Sequence, residues 1–270
     1  MEEFVFKESQ GIRIGYFPAL EALGFVNGFT CRQGGESDIV PGTLNMALHV
    51  HDDPLKVVRN RERVAAAMGF SLDAAVTCAQ VHGTEVACVS KRDGGRGSRE
   101  PATTVPAVDG LVTEADGLAL MLFFADCVPV ILADPEHGAF GLFHAGWRGS
   151  VGRIAQKGVR RMAEQYGSRP EALTAAIGPS IGPCCYEVDE RVRAAAPGYE
   201  ACFTPVRENH FLLDLWAMNR RQLMEAGLRS TQIHTARICT SCRRDLYFSH
   251  RAEKGHTGRL AAVIFKKSKA

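Results

Sequence analysis

Apolar and polar positions along the chain switch between a helical and an extended period. Residues 54–68, PLKVVRNRERVAAAM, carry an apolar helical face; Asp53 offers an N-cap, Pro54 suits the first helical position and Gly69 a stop. Ser150 reads as the cap of a helix running from 151 to Gly167, and Asp214 as the cap of one running from 215 to Gly227. Strand-like runs fall between them at 76–90, 118–133, 138–145, 173–178, 235–240 and 259–265. Pro129 predicts an interruption or bulge in the second of these. Residues 94–108, GGRGSREPATTVPAV, read as a long surface loop. Strands interleaved with helices predict an α+β (mixed α/β) fold. No linker separates independent units, so 1–270 is expected to form a single domain.

Composition narrows the function classes. The chain has 270 residues, 46% hydrophobic and 23% charged, with a formal net charge of +2. This is an ordinary globular balance without the broad basic field of a nucleic-acid binder. The N-terminus, MEEFVFKESQ, is acidic where a signal peptide would be basic, and the run at 118–133 is too short to span a bilayer. The expected location is the cytoplasm, with no membrane and no nucleic-acid partner. Nine cysteines in such a chain read as reduced thiols.

Candidate chemistry concentrates between 118 and 150. The two runs on either side of Asp134-Pro135-Glu136-His137-Gly138 suggest an antiparallel hairpin. A turn that sets Asp134 opposite His137 also sets Cys127 opposite His144, with Cβ atoms about 5 Å apart. A one-residue slip would put them on opposite faces. His82, in AQVHGTEV, reads as mid-strand and needs a hydrogen-bond partner or a metal. Together His82, Cys127 and His144 make a His₂Cys set that suits zinc with one open position, and also suits copper.

Other clusters are weaker. CTSC at 239–242 is a lone CxxC, and vicinal Cys184-Cys185 reads as a tight turn that cannot easily direct both sulfurs to one ion. HVHDD at 49–53 is adequately explained by turn and capping chemistry. Asp126 is the nearest candidate in sequence for a proton-carrying carboxylate at such a site; strand alternation points it away from Cys127 unless Pro129 marks a bulge. Arg148, set between glycines just before the helix expected from Ser150, is placed to hold an anion such as phosphate. Trp147 beside it reads as an apolar wall or a core residue.

At these residues the chain resembles a known family. QVHG, DGLVT, GLAL, ADCVPVILAD, HAGWRGS, IGPSIGPCCYEV, the DL…N segment, CT-C…YFSHR and TGR follow in order from about TLN at 43–45 to residue 264. They resemble the YfiH-type family, bacterial proteins once called laccase-domain or polyphenol-oxidase-like. The resemblance implies a four-layer α-β-β-α sandwich, similar to cysteine hydrolases of the deamidating-toxin kind. It implies phosphorolysis of purine nucleosides (adenosine, inosine, methylthioadenosine), with adenosine deaminase activity as well. It also implies zinc ligands at His82, Cys127 and His144, through which catalysis would run.

Two other readings compete. A cysteine hydrolase would use Cys127 as nucleophile and His144 as base, and would have no need of His82. A copper-dependent phenol oxidase needs about ten histidines, many in His-x-His pairs; this chain has nine, with one such pair.

Overall fold

A computed structural model describes residues 3–39 and 44–268. Thr43, the first residue of the TLN stretch, therefore lies outside the described residues. Two six-stranded sheets carry the fold. The first runs, in spatial order, through Val5–Ser9, Ile12–Tyr16, Phe25–Thr30, Leu260–Lys266, Ala119–Phe124 and Ala75–Val76. The second runs through Ile233–Thr235, Thr174–Ile177, Val128–Asp134, Ala139–Ala145, Gly110–Thr113 and Val86–Cys88. Each is antiparallel except at its margins: Ala75–Val76 pairs parallel in the first sheet, and both end strands do so in the second.

Alternate residues of the central strands separate the layers. Leu120, Leu122, Ala262 and Ile264 of the first sheet meet Ile131, Ala133, Phe140 and Leu142 of the second in one buried cluster. Met121, Ala261 and Val263 point the other way, onto Val64, Ala65 and Met68 of the helix Pro54–Met68. Val130, Leu132 and Phe143 pack onto the helices Ile154–Tyr166 and Leu215–Glu225. The architecture is the α-β-β-α sandwich that the resemblance implies. Both faces of the central strands are covered, so their sequences read as unbroken apolar runs. A third, three-stranded sheet (Glu187–Asp189, His210–Leu213, Phe203–Arg207) lies beyond this core.

The structure keeps several expected boundaries and revises others. Asp53 accepts a hydrogen bond from the Leu55 N–H and Asp214 one from the Ala217 N–H, while Gly69 and Gly167 close their helices in the left-handed conformation. Ser150 is not a cap. It is buried inside a short helix, Trp147–Val151, and a break at Gly152-Arg153 precedes Ile154–Tyr166. The 76–90 run holds only two short strands, one in each sheet, with an irregular segment between them. In the 235–240 run only Thr235 belongs to a strand, Ile233–Thr235. The 94–108 loop is held down by buried Arg61, which donates to the Gly97 and Ser98 carbonyls at 2.8 and 2.7 Å.

The 118–133 run is two strands in different sheets, and the break falls at Asp126 rather than Pro129. Asp126 has φ 83°, a left-handed conformation that turns the chain from one sheet into the other. Pro129 stays in its strand. The following hairpin closes with Asp134 opposite Ala139, around a four-residue loop, so His144 faces Pro129 instead of Cys127. The expected register is off by two. A two-residue shift preserves the face, and the thiol and imidazole still meet, now as diagonal neighbours.

Candidate functional site

Three chain segments converge where the inter-sheet layer ends. His144 occupies the penultimate position of Ala139–Ala145 and points into that layer, its ring 5.4 Å from the Phe124 ring. Cys127 sits just past the Asp126 corner, at the head of Val128–Asp134. His82 comes from the irregular segment between the two short strands. It is not mid-strand; its φ of 59° places it at a left-handed turn. The His82 and His144 rings stand 4.9 Å apart at 77°, and the ligand atoms of His82, Cys127 and His144 all lie within 4.8 Å of one another. The three residues singled out from the sequence are thus brought together.

Asp109, to which sequence reasoning assigned no role, organises them. Its fully buried carboxylate accepts from His144 Nδ1 at 2.8 Å and from the N–H groups of Val81, His82 and Gly83 at 3.1, 3.0 and 2.7 Å. Burial opposes its ionisation, yet the His144 and backbone hydrogen bonds outweigh that and hold its pKa below the ordinary carboxylate value. The partner at Nδ1 leaves His144 Nε2 free for a ligand. An acid between an apolar segment and the strand Gly110–Thr113, in the DGLVT stretch, was the available signal.

Electrostatics bind the pair further. Burial alone would raise the Cys127 thiol, but the His144 imidazolium and hydrogen bonds from both imidazoles bring it down to about 6. His144 is driven the other way: burial disfavours its charge, while the Cys127 thiolate and Asp109 raise it to about 9. Backbone packing is equally close. A Cβ added to Gly146 would lie 3.0 Å from Cys127 Sγ and 3.2 Å from the His82 ring. The glycine is what lets the chain pass.

These residues form one wall of a cavity of about 490 Å³, within the range that holds a small ligand. Arg148, Arg251 and Arg259 line it, with His49, Tyr186 and Trp147. Arg148 is exposed, and its guanidinium lies 4.3 Å from the centre of the Trp147 ring. His49, explained from sequence as part of a turn, faces the cavity instead. Burial, reinforced by Arg259 and Arg61, holds its pKa down to about 4, so its imidazole is neutral near pH 7. Asp126 also lines the cavity, but its oxygens are taken: Oδ1 by the Thr240 hydroxyl at 2.7 Å and Oδ2 by the Arg251 N–H at 2.6 Å. It ties the Thr240 and Arg251 loops to the corner between the sheets.

The weaker cysteine clusters also move. Cys184, Cys185, Cys239 and Cys242 come together from two loops, with all four sulfurs within 4.8 Å of one another. The vicinal pair does turn both sulfurs to one place, contrary to the sequence reading. No helix among the described residues is long and apolar enough to cross a membrane.

Known proteins resemble the chain over most of its length. "Purine nucleoside phosphorylase YlmD" of Geobacillus stearothermophilus is 45% identical over 248 residues, 89% of this chain and 90% of that protein. "Adenosine deaminase RL5", from an unknown prokaryotic organism, is 35% identical over 229 residues, 83% of this chain and 87% of that protein. The crystal structure of YlmD from Geobacillus stearothermophilus superposes with a TM-score of 0.93 at 41% identity, covering 98% of this chain and 99% of that one. Residues 26–267 match the family model described as multi-copper polyphenol oxidoreductase laccase, and the chain belongs to that family.

Proposed function

We propose that this protein is a metal-dependent purine nucleoside phosphorylase that also deaminates adenosine. It would convert adenosine, inosine or methylthioadenosine and phosphate to the free base and the corresponding ribose 1-phosphate. The observation that carries this reading is the His82–Cys127–His144 set in the wall of a cationic cavity of nucleoside size. The names of the relatives support it.

The three donors fit a metal ion. Two imidazoles and a thiolate whose donor atoms lie within 4.8 Å of one another, with His144 oriented by a carboxylate, suit an open zinc site and would also accept copper. When bound, zinc supplies Lewis-acid polarisation of a substrate oxygen or of water. The chain's own residues do the rest. Arg148 holds the phosphate, with Arg251 and Arg259 adding positive charge to the same cavity. Neutral His49 offers the purine both a hydrogen-bond donor and an acceptor. Tyr186 stays a neutral phenol because burial raises its pKa, and Trp147 supplies an apolar face.

A cysteine hydrolase is favoured by one observation, the thiolate–imidazolium pairing of Cys127 with His144. It leaves the convergence of His82 unexplained. Multicopper phenol oxidation requires many more histidines than the two in this cluster.

The test is adenosine turnover with and without phosphate, following adenine and inosine by chromatography. Adenine should form only with phosphate, and inosine independently of it. Equal adenine release without phosphate would make the enzyme a nucleoside hydrolase. Absence of any purine product, with activity toward amide or ester substrates that survives a chelator, would establish the cysteine hydrolase.

A further inference from the structure

Four of the nine cysteines lie apart from the candidate catalytic centre and together. Cys184 and Cys185 follow the Gly182-Pro183 turn, and Cys239 and Cys242 bracket a short loop joined to it. The Thr240 N–H donates to the Ser180 carbonyl at 3.0 Å, and Ser180 and Cys239 form a parallel bridge. Cys242 Sγ is 3.5 Å from Cys184 Sγ and 3.4 Å from Cys185 Sγ. A disulfide would need about 2.05 Å. Four sulfurs around one tetrahedral ion with bonds of about 2.3 Å would stand about 3.8 Å apart. Both Cys242 separations are close to that value, and all four sulfurs lie within 4.8 Å of one another.

Two details favour a thiolate cage over a chance cluster. The Gly182 N–H points at Cys239 Sγ, 3.2 Å away, and such donors stabilise negative sulfur. Cys239 and Cys242 also have the C-x₂-C spacing of closed structural zinc sites, and the vicinal pair joins them from a second loop.

We propose that Cys184, Cys185, Cys239 and Cys242 form a second metal centre, a closed tetrathiolate site for one zinc ion. Binding converts four thiols and Zn²⁺ into the tetrathiolate complex and releases the four protons; nothing is oxidised. The site is structural, because all four positions are filled by protein. Its loops reach the candidate catalytic cavity. Thr240 holds Asp126, the Ile181 N–H donates to the Asp126 carbonyl at 2.9 Å, and Tyr186 lines the cavity. The zinc would staple two cavity-bearing loops to each other. The proposal is independent of the nucleoside reading.

The test is metal stoichiometry of the purified full chain, by elemental analysis and native mass spectrometry. Wild type should carry about two zinc ions per chain, one for each cluster. Cys242→Ser, a conservative change at an exposed position, should lower this to about one. His82→Ala should remove the other ion, and the double variant should hold none. Cobalt loaded into His82→Ala should give the intense visible bands of tetrahedral thiolate ligation, a readout that needs no cysteine variant. A wild-type content of one zinc, lost entirely in His82→Ala, would overturn the proposal. A disulfide among the four cysteines in metal-loaded wild type would overturn it as well.

Discussion

The Asp109 carboxylate accepts four hydrogen bonds, and the 2.8 Å bond from His144 Nδ1 is the contact that makes it part of the candidate centre. The same carboxylate holds the backbone of the His82 turn. Two of the three candidate ligands therefore hang on one side chain. Asp109→Asn would present an amide N–H toward donors. The variant should lose metal affinity by about 10–100-fold, the usual cost of losing such a partner. Competition against a chromogenic chelator measures this. Unchanged affinity in the folded variant would show that the carboxylate serves the fold alone.

Gly146 has an ordinary φ of −63°, so alanine there would not strain the backbone. Its methyl group would instead crowd Cys127 Sγ and the His82 ring. Gly146→Ala should melt close to wild type while its zinc content and adenosine turnover both fall. A variant with full metal and full turnover would mean that the three ligands relax freely.

Cys127 and His144 set the reactivity of the metal-free protein. The thiol is lowered to about 6 and the imidazole raised to about 9, so between these values the pair exists as thiolate and imidazolium. Alkylation of Cys127, followed by peptide mass spectrometry, should therefore rise through a midpoint near pH 6. An ordinary thiol would give about 8.5. Zinc should suppress the reaction. A midpoint above 8 in the apo protein would contradict the pairing.

Arg148 is exposed on the cavity rim and lies against Trp147. Arg148→Ala should reduce phosphate-dependent turnover about 10²–10³-fold, the range for losing one charge-stabilising donor. Arg148→Lys should recover part of it, because an ammonium lacks the planar fork. Zinc content and phosphate-independent deamination should change far less. If both activities fall equally in a metallated variant, Arg148 serves the shared pocket and does not hold phosphate.

The legible parts of the sequence were those with local causes. Caps at Asp53 and Asp214 and stops at Gly69 and Gly167 depend on neighbouring residues only, and they stand. Ser150 resembled them, but its hydroxyl turns back to the Ala145 carbonyl and accepts from Asn219, a residue far away in sequence. Cys127 and His144 were found through a hairpin whose register was wrong by two, and a shift of two does not change the face. His82 was found by residue type, although its conformation was misread. Asp109 leaves a signal in its residue type, but its partners, like those of His49 and the four-cysteine cluster, come from segments distant in sequence, and periodicity carries no information about such meetings.

The corner at Asp126 has a mechanical consequence. The 118–133 run passes from the first sheet into the second there, and Cys127 is the next residue. Any sliding or splaying of one sheet against the other must therefore act on the covalent joint that carries the sulfur. The position of the sulfur is in this sense tied to the relative position of the two sheets.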